Sequence, residues 1–388
     1  MSSLIPAMRR AGLAVAFWHE VDTPKDRIRI ELPSGVRDIC AADAGLDASI
    51  QQLRDWKPDV LYVQGVSDAA AEAKLLDVAP AVFFLHTYSG TCISGSKTFS
   101  RPTSVPCDRT FGVACLLHYF PHGCGGNDPR TMWRLFGIQS ERLRLFHRYA
   151  AILTHSDHMR DEMKKHGLCA HVVPFPCDAS PAISHVISPA EPVSGFGRTE
   201  HPWRLLFAGR MEVLKGGHYL IEALPEVARA ARRPVHLVLA GDGRDRQSWE
   251  AAAQRIQGGT PNLTIEFTGW VTPQHVTTLM RKVDLLVVPS LWPEPLGSVG
   301  PAAAQQGVPA AAYDSGGIPQ WLTDGVSGQL APADPPTPSG LARAIIRCLA
   351  DPAHYAALRR GALEAGARFT MARHLPTVTE HLARVERR

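Results

Sequence analysis

At 388 residues, 45% of them apolar, the chain has the length for two large domains, each burying a core of its own. A formal net charge of +4 argues against a nucleic-acid binder held by bulk charge, and no stretch is long and apolar enough to span a bilayer. The N-terminus lacks a charged segment followed by an apolar core, so no secretory signal is expected and the cytoplasm is the expected compartment.

In chain order, Ser2 to Leu13 reads as a helix leading into a strand at Ala14 to Trp18. Pro58 to Gln64 and Ala81 to His86 are apolar strands that end in polar residues. From 88 to about 130 runs an irregular loop rich in Gly and Pro; it holds Cys92, Cys107, Cys115 and Cys124, half of the eight cysteines, with His118 and His122. No Cys-x2-Cys pair occurs there, so buried thiols and a metal site both stay open, with these four cysteines as candidate ligands. Thr131 to Ile152 is expected to be a helix. It carries Trp133, Leu135, Phe136, Leu143 and Phe146 beside Arg130, Arg134, Arg142, Arg144 and Arg148, a face suited either to packing on a sheet or to anionic lipid. Short strands at Ile152 to Ser156 and at Val172 to Pro176 flank a helix from Asp157 to His166. The Pro-, Ser- and Gly-rich stretch 179–202 reads as a linker.

Beyond it, strand, glycine turn and helix alternate, which predicts a doubly wound parallel sheet. Trp203 to Ala208 ends in Gly209, followed by Arg210 and by Lys215-Gly-Gly before a helix from His218. Val235 to Ala240 ends in Gly241-Asp-Gly243, and Leu263 to Phe267 in Thr268-Gly-Trp-Val271. Val283 to Val288 reads as a buried strand whose Pro/Trp/Glu/Pro/Gly loop opens a helix near Ser298. Gly297 allows close backbone approach there, and the first amides of the helix suit a phosphate. Glu294 offers a carboxylate to sugar hydroxyls. Tyr313-Asp-Ser-Gly-Gly-Ile-Pro forms a second glycine turn suited to closing over a sugar ring. Lys215 and Glu294, both in such turns, are expected to face ligand rather than core, so that their loss would spare the fold.

The run from Glu294 through Leu296 and Gly297 to Gly-Gly-Ile-Pro, with Arg210 and Lys215 upstream, resembles the retaining glycosyltransferases of family 4. The resemblance departs at Ala302, where the family has a second Glu that holds the nucleotide ribose, and at the N-terminus, where the family's first strand and Gly loop are missing. It implies a GT-B fold, two doubly wound Rossmann-like domains facing an interdomain cleft, divided as 1–178, a linker at 179–202, 203–362 and a closing helix over 363–388. The implied activity is retaining transfer of a sugar from a nucleoside diphosphate sugar to a polysaccharide, lipid-linked or small hydroxyl acceptor. Arg210 and Lys215 would neutralise the diphosphate without a metal or other cofactor, Glu294 would hold the sugar, and His86 would position the donor. Gly209, Gly241, Gly269, Trp270, Leu296, Gly297, Ser298 and Val299 would complete the donor site, and Ser156 and the segment through Asp178 would line the cleft. No nucleic-acid partner is implied; peripheral contact with the inner face of a membrane is. A non-catalytic nucleotide-sugar-binding member or partner subunit and a nucleotide-sugar epimerase stand as alternatives, although no acid/base pair for epimerisation is evident.

Overall fold

The computed structural model describes residues 1–21, 30–177 and 201–386. The chain divides into two units, one built from Met1–Gly95, Arg109–Pro176 and Met371–Arg388, the other from Ser96–Asp108 and Cys177–Thr370.

The first unit begins with α1 (Leu4–Arg10), β1 (Ala16–His19), β2 (Arg37–Cys40), α2 (Ala41–Ala44), α3 (Leu46–Trp56), β3 (Leu61–Val63), α4 (Ala69–Leu75) and β4 (Ala81–Leu85). A hairpin of β5 (Thr98–Phe99) and β6 (Val105–Pro106) falls in the second unit. The first unit then resumes with α5 (Ala114–His118), α6 (Pro129–Phe146), β7 (Ala151–Thr154), α7 (Asp157–Lys164) and β8 (Ala170–Val172). Its strands form two parallel sheets, β1-β2 and β3-β4-β7-β8. Every residue of β4 is buried, as expected of an apolar run covered on both faces. A cavity of about 740 Å³ lies between β1 and β3.

Helix α6 starts where Asp128 accepts the Thr131 amide at 2.9 Å and Pro129 occupies the first turn. It ends at Phe146 rather than Ile152, because the Ala150 amide already pairs with the Ala81 carbonyl. Met132, Leu145 and Phe146 are buried. Arg142 turns inward to Ser89 Oγ (2.7 Å) and to the carbonyls of Val66 (2.8 Å) and Ser67 (2.7 Å), and Arg148 pairs with Asp77 at 2.7 Å. Two of the arginines weighed for sheet or lipid contact thus bind the protein itself, whereas Trp133, Arg134 and Arg144 are exposed.

The second unit continues with β9 (Trp203–Ala208), a 3₁₀ turn (Val213–Lys215), α8 (Gly217–Ala230), β10 (Val235–Ala240), α9 (Arg246–Gly259), β11 (Leu263–Gly269), α10 (Pro273–Met280), β12 (Leu285–Val288), α11 (Val299–Ala304), β13 (Ala310–Tyr313), β14 (Gly328–Ala331), α12 (Pro338–Leu349) and α13 (Pro352–Gly366). Its six strands are parallel in the order β11-β10-β9-β12-β13-β14. Leu205, Leu237, Leu285 and Ala311 from the sheet pack with Leu220 and Leu224 of α8 and Leu341 of α12 in one core. The tail expected as one helix from Leu363 to Val385 is two, α13 and then α14 (Met371–Glu386). Between them the Phe369 carbonyl accepts the Gln305 side-chain amide and the Cys177 backbone amide, so it is not spent inside a helix. Val378, Leu382 and Val385 of α14 join Leu4, Met8, Val82, Phe84 and Leu153 in the core of the first unit. The expected linker lies outside the described residues as far as 200, as does Asp178.

Candidate active site

Strand order in the second unit reverses between the neighbours β9 and β12, and the turns leaving their carboxyl ends meet there. Gly216 adopts a left-handed φ of 69°, and a Cβ on it would lie 1.7 Å from the Pro289 carbonyl oxygen, so only glycine lets this turn close on β12. The amides of Leu291 (2.9 Å) and Trp292 (3.4 Å) donate to the Leu214 carbonyl. This closure sets Lys215 Nζ 2.6 Å from Glu294 Oε1 and 4.9 Å from the centre of the Trp292 ring. Ser290 Oγ donates to the same Oε1 at 2.5 Å.

Glu294 is only 5% exposed, and its charge is held by one ammonium and one hydroxyl. The expectation that Glu294 stands clear of the core is thus corrected: the carboxylate is buried and structural as well as available. Both bonds fall on Oε1, which leaves Oε2 to accept from a ligand. The turn after β13 clamps the same loop. The Gly317 amide donates to the Glu294 carbonyl at 2.5 Å, a Cβ on Gly316 would lie 2.4 Å from that oxygen, and Ser315 Oγ reaches the Trp292 carbonyl at 3.1 Å.

Gly297, at a φ of 76°, leads into exposed Ser298 and half-buried Val299 at the start of α11. The Leu296 side chain is buried, and its carbonyl accepts the Trp321 indole at 2.7 Å. That indole occupies the space beside Gly300, where a Cβ would meet it at 2.2 Å. Ala302 is half-buried on α11. Arg210, by contrast with Lys215, is 70% exposed and pairs with Glu212 at 3.2 Å. Gly209, Gly241 and Gly269 pack backbone against backbone at the ends of β9, β10 and β11: Gly241 donates to the Gly269 carbonyl at 2.9 Å, and its Cβ would lie 2.0 Å from the Gly209 oxygen. Trp270, at the end of β11, is 64% exposed.

In the first unit His86 follows β4 and shares a 2.6 Å hydrogen bond with Gln64, which follows β3. Its ring lies 4.8 Å from Phe84 and 5.7 Å from Phe175. Burial, then the N-terminal amine and His374, lower its pKa to about 4, so the imidazole is neutral at pH 7. Ser156 caps α7 by accepting the Met159 amide at 3.3 Å. Cys92, Cys107, Cys115 and Cys124 form no disulfide, and among the described residues no group of three or more His, Cys, Asp or Glu is placed to hold a metal. The structure divides them: Cys107 accompanies the β5–β6 hairpin, whereas Cys115 and Cys124 pack against Phe111, Tyr119 and Met132, which order the loop by apolar contact.

Sequence reasoning passed over Ser290, Ser315 and Trp321. Ser290 follows an apolar strand in a Pro-Ser-Leu-Trp stretch and carries no motif signal; its role exists only once the turns meet.

Residues 202–351 match the family model described as glycosyl transferases group 1. Glycogen synthase of Mycobacterium tuberculosis is 35% identical over 163 residues, 41% of this chain and 36% of that protein, so the match spans about a third of the relative's length. Sucrose-phosphate synthase of Thermosynechococcus elongatus superposes with a TM-score of 0.67 at 18% identity, covering 97% of this chain and 90% of that one. HepE of Anabaena, solved with UDP-glucose, superposes with a TM-score of 0.58 at 20% identity, covering 90% and 86%. The chain thus has the GT-B fold of two Rossmann-like units, and its second unit, which carries the Lys215–Glu294 pair, is the part similar to group 1 glycosyl transferases.

Proposed function

We propose that the chain transfers a sugar, with retention at the anomeric carbon, from a nucleoside diphosphate sugar to the hydroxyl of a polysaccharide, lipid-linked or small acceptor. The observation carrying this reading is the partly buried Lys215–Glu294 pair at the point where strand order reverses, a cation and a carboxylate side by side at the carboxyl ends of β9 and β12. In this reading Lys215, with Arg210 swinging off Glu212, stabilises the negative charge that the diphosphate gains as its bond to the sugar breaks. Glu294 Oε2 accepts from sugar hydroxyls, and the Gly297–Ser298 turn admits the phosphates against backbone. Neutral His86, fixed by Gln64, acts as a positioning group rather than as the base. In this reading Ala302 stands where the family's ribose-holding carboxylate would be. The exposed Val113, Leu117 and Trp133, near Arg130 and Arg134 in sequence, support peripheral membrane contact within the same reading.

UDP-glucose bound to HepE supports a uridine nucleotide as the first donor to test. Calorimetry with UDP and a panel of UDP-sugars, then NMR of the product's anomeric configuration, tests the proposal. An inverted product rejects retention, and no binding of any nucleotide sugar rejects the reading. Binding of a nucleotide sugar without turnover against any acceptor supports the second reading, a non-catalytic binder, which Ala302 favours.

A further inference from the structure

The hydrogen bond between Gln64 and His86 lies beyond the ladder that joins their strands. β3 pairs with β4 as far as Val63 opposite Phe83, whereas β4 runs on beside β7 to Leu85 opposite Thr154. Past Val63 the two strands part into separate loops, and Gln64 Oε1 meets His86 Nε2 at 2.6 Å between them. The spacing of those loops is therefore a matter for side chains.

Arg142, in the middle of α6, bonds to both. Its Nη1 donates to Ser89 Oγ (2.7 Å) in the loop after β4, and its Nη2 to the carbonyls of Val66 (2.8 Å) and Ser67 (2.7 Å) in the loop after β3. A guanidinium can span two loops because its donors leave one rigid plane in divergent directions; an ammonium on a flexible stem has no such fork. Glu20 accepts the amides of Ser67 (2.5 Å) and Asp68 (2.9 Å), so the β3 loop meets a cation at its carbonyls and a carboxylate at its amides. The β4 loop rests on the same face of α6. Gln139, three residues before Arg142, accepts the Gly90 amide at 2.6 Å, and a Cβ on Gly90 would lie 2.5 Å from the Phe146 ring.

Other residues keep α6 docked. Phe146 is buried with its ring centre 5.1 Å from that of Phe83, and just past the helix Arg148 reaches Asp77 (2.7 Å) and Tyr149 donates to Glu72 (2.6 Å). Arg142 is thus spare as an anchor of the helix and bound instead to the two loops that carry Gln64 and His86.

We propose that Arg142 is a positioning residue: by holding the loops after β3 and β4 in one guanidinium fork it fixes Gln64 against His86, and with it the orientation of the imidazole. The use of that imidazole in sugar transfer rests on the proposed function, whereas the fixing of the pair does not.

Proton NMR of the histidine rings follows His86 directly and needs no substrate. In the native protein its titration midpoint lies at about 4. Arg142→Met removes the fork and keeps the stem; it should raise that midpoint by about one pH unit as water reaches the ring. Ser89→Ala keeps the guanidinium and unties one loop only, so it should raise the midpoint less, and Arg142→Lys should fall between the native protein and Arg142→Met. Urea midpoints of all three should stay close to native. With a donor that is turned over, Arg142→Met should lower kcat by roughly tenfold with little change in KM. In a His86→Gln background the same change should have almost no further effect, because a residue acting through His86 has nothing left to position. A histidine midpoint unmoved in both Arg142→Met and Ser89→Ala, or an equal loss of kcat with and without His86, overturns the proposal. A fall in the urea midpoint with the histidine unmoved assigns Arg142 to stability alone and overturns it equally. A native protein that transfers no sugar counts against the proposed function, and the NMR titrations then decide the role of Arg142 by themselves.

Discussion

Lys215 and Glu294 bind each other before they bind anything else, so removing either has two effects. Lys215→Ala leaves a buried carboxylate with Ser290 as its remaining donor and should cost about 1–3 kcal/mol of stability, read from urea midpoints, while transfer falls by roughly 10²–10³-fold. Glu294→Gln keeps an acceptor for Ser290 and should lose less stability than Glu294→Ala, yet transfer should still drop. An Ala variant of either residue with an unchanged midpoint and unchanged turnover would remove the pair from both roles. Ala302→Glu adds a carboxylate to α11 and should tighten nucleotide binding by about 1.5–3 kcal/mol, roughly 10–100-fold in Kd by calorimetry. Weaker binding would show that the small side chain is an adaptation to a differently held nucleotide. His86 gives a pH signature. Its folded pKa of about 4 lies below the ordinary 6.5, so the unfolded chain takes up the proton first as pH falls. Its contribution to stability is whole above pH 6.5 and is lost between there and pH 4. Urea midpoints for the native protein should fall across that window more steeply than for His86→Gln; equal slopes would show that the imidazole is not held neutral.

At the level of elements, the strands and glycine turns of the second unit were legible because an apolar run ending in glycine has few other uses. What each glycine touches was not. Gly216 and Gly316 carried no packing role in the sequence, yet the structure presses Pro289 and the Glu294 backbone against them. Gly216→Ala should therefore destabilise the second unit by about 1–3 kcal/mol or more, since it combines a left-handed φ with a backbone collision. A midpoint within error of the native one would mean that the β9 and β12 turns do not close as seen. Helix α6 was legible as amphipathic, but its length was not, because the Ala150–Ala81 bond that ends it lies far apart in sequence. The partners of its arginines were hidden for the same reason: Arg142 finds carbonyls at 66 and 67, which no helical period reveals. Four cysteines close in sequence left buried thiols and a metal site both open, and the hairpin at 98–106 carries Cys107 off into the other unit.

At the level of the whole chain, two α/β units, their approximate order and a closing helix could be read from sequence, while the excursion of Ser96–Asp108 into the second unit could not. The chain leaves the first unit after Pro176 and comes back at Met371, where α14 places Val378, Leu382 and Val385 among the side chains beneath β4 and β7. A chain stopped at Thr370 should expose that core and bind an apolar dye, with far-UV circular dichroism largely retained and the midpoint of the first unit lowered. A truncated chain with native stability would show that α14 is dispensable. The return of α14 also has a consequence on the ribosome. At about 5–20 residues per second, everything from 203 to 366 is synthesised while the first unit still lacks its last helix. The unit translated first is thus the one that must wait, its apolar face open to chaperones, until termination releases the final turns.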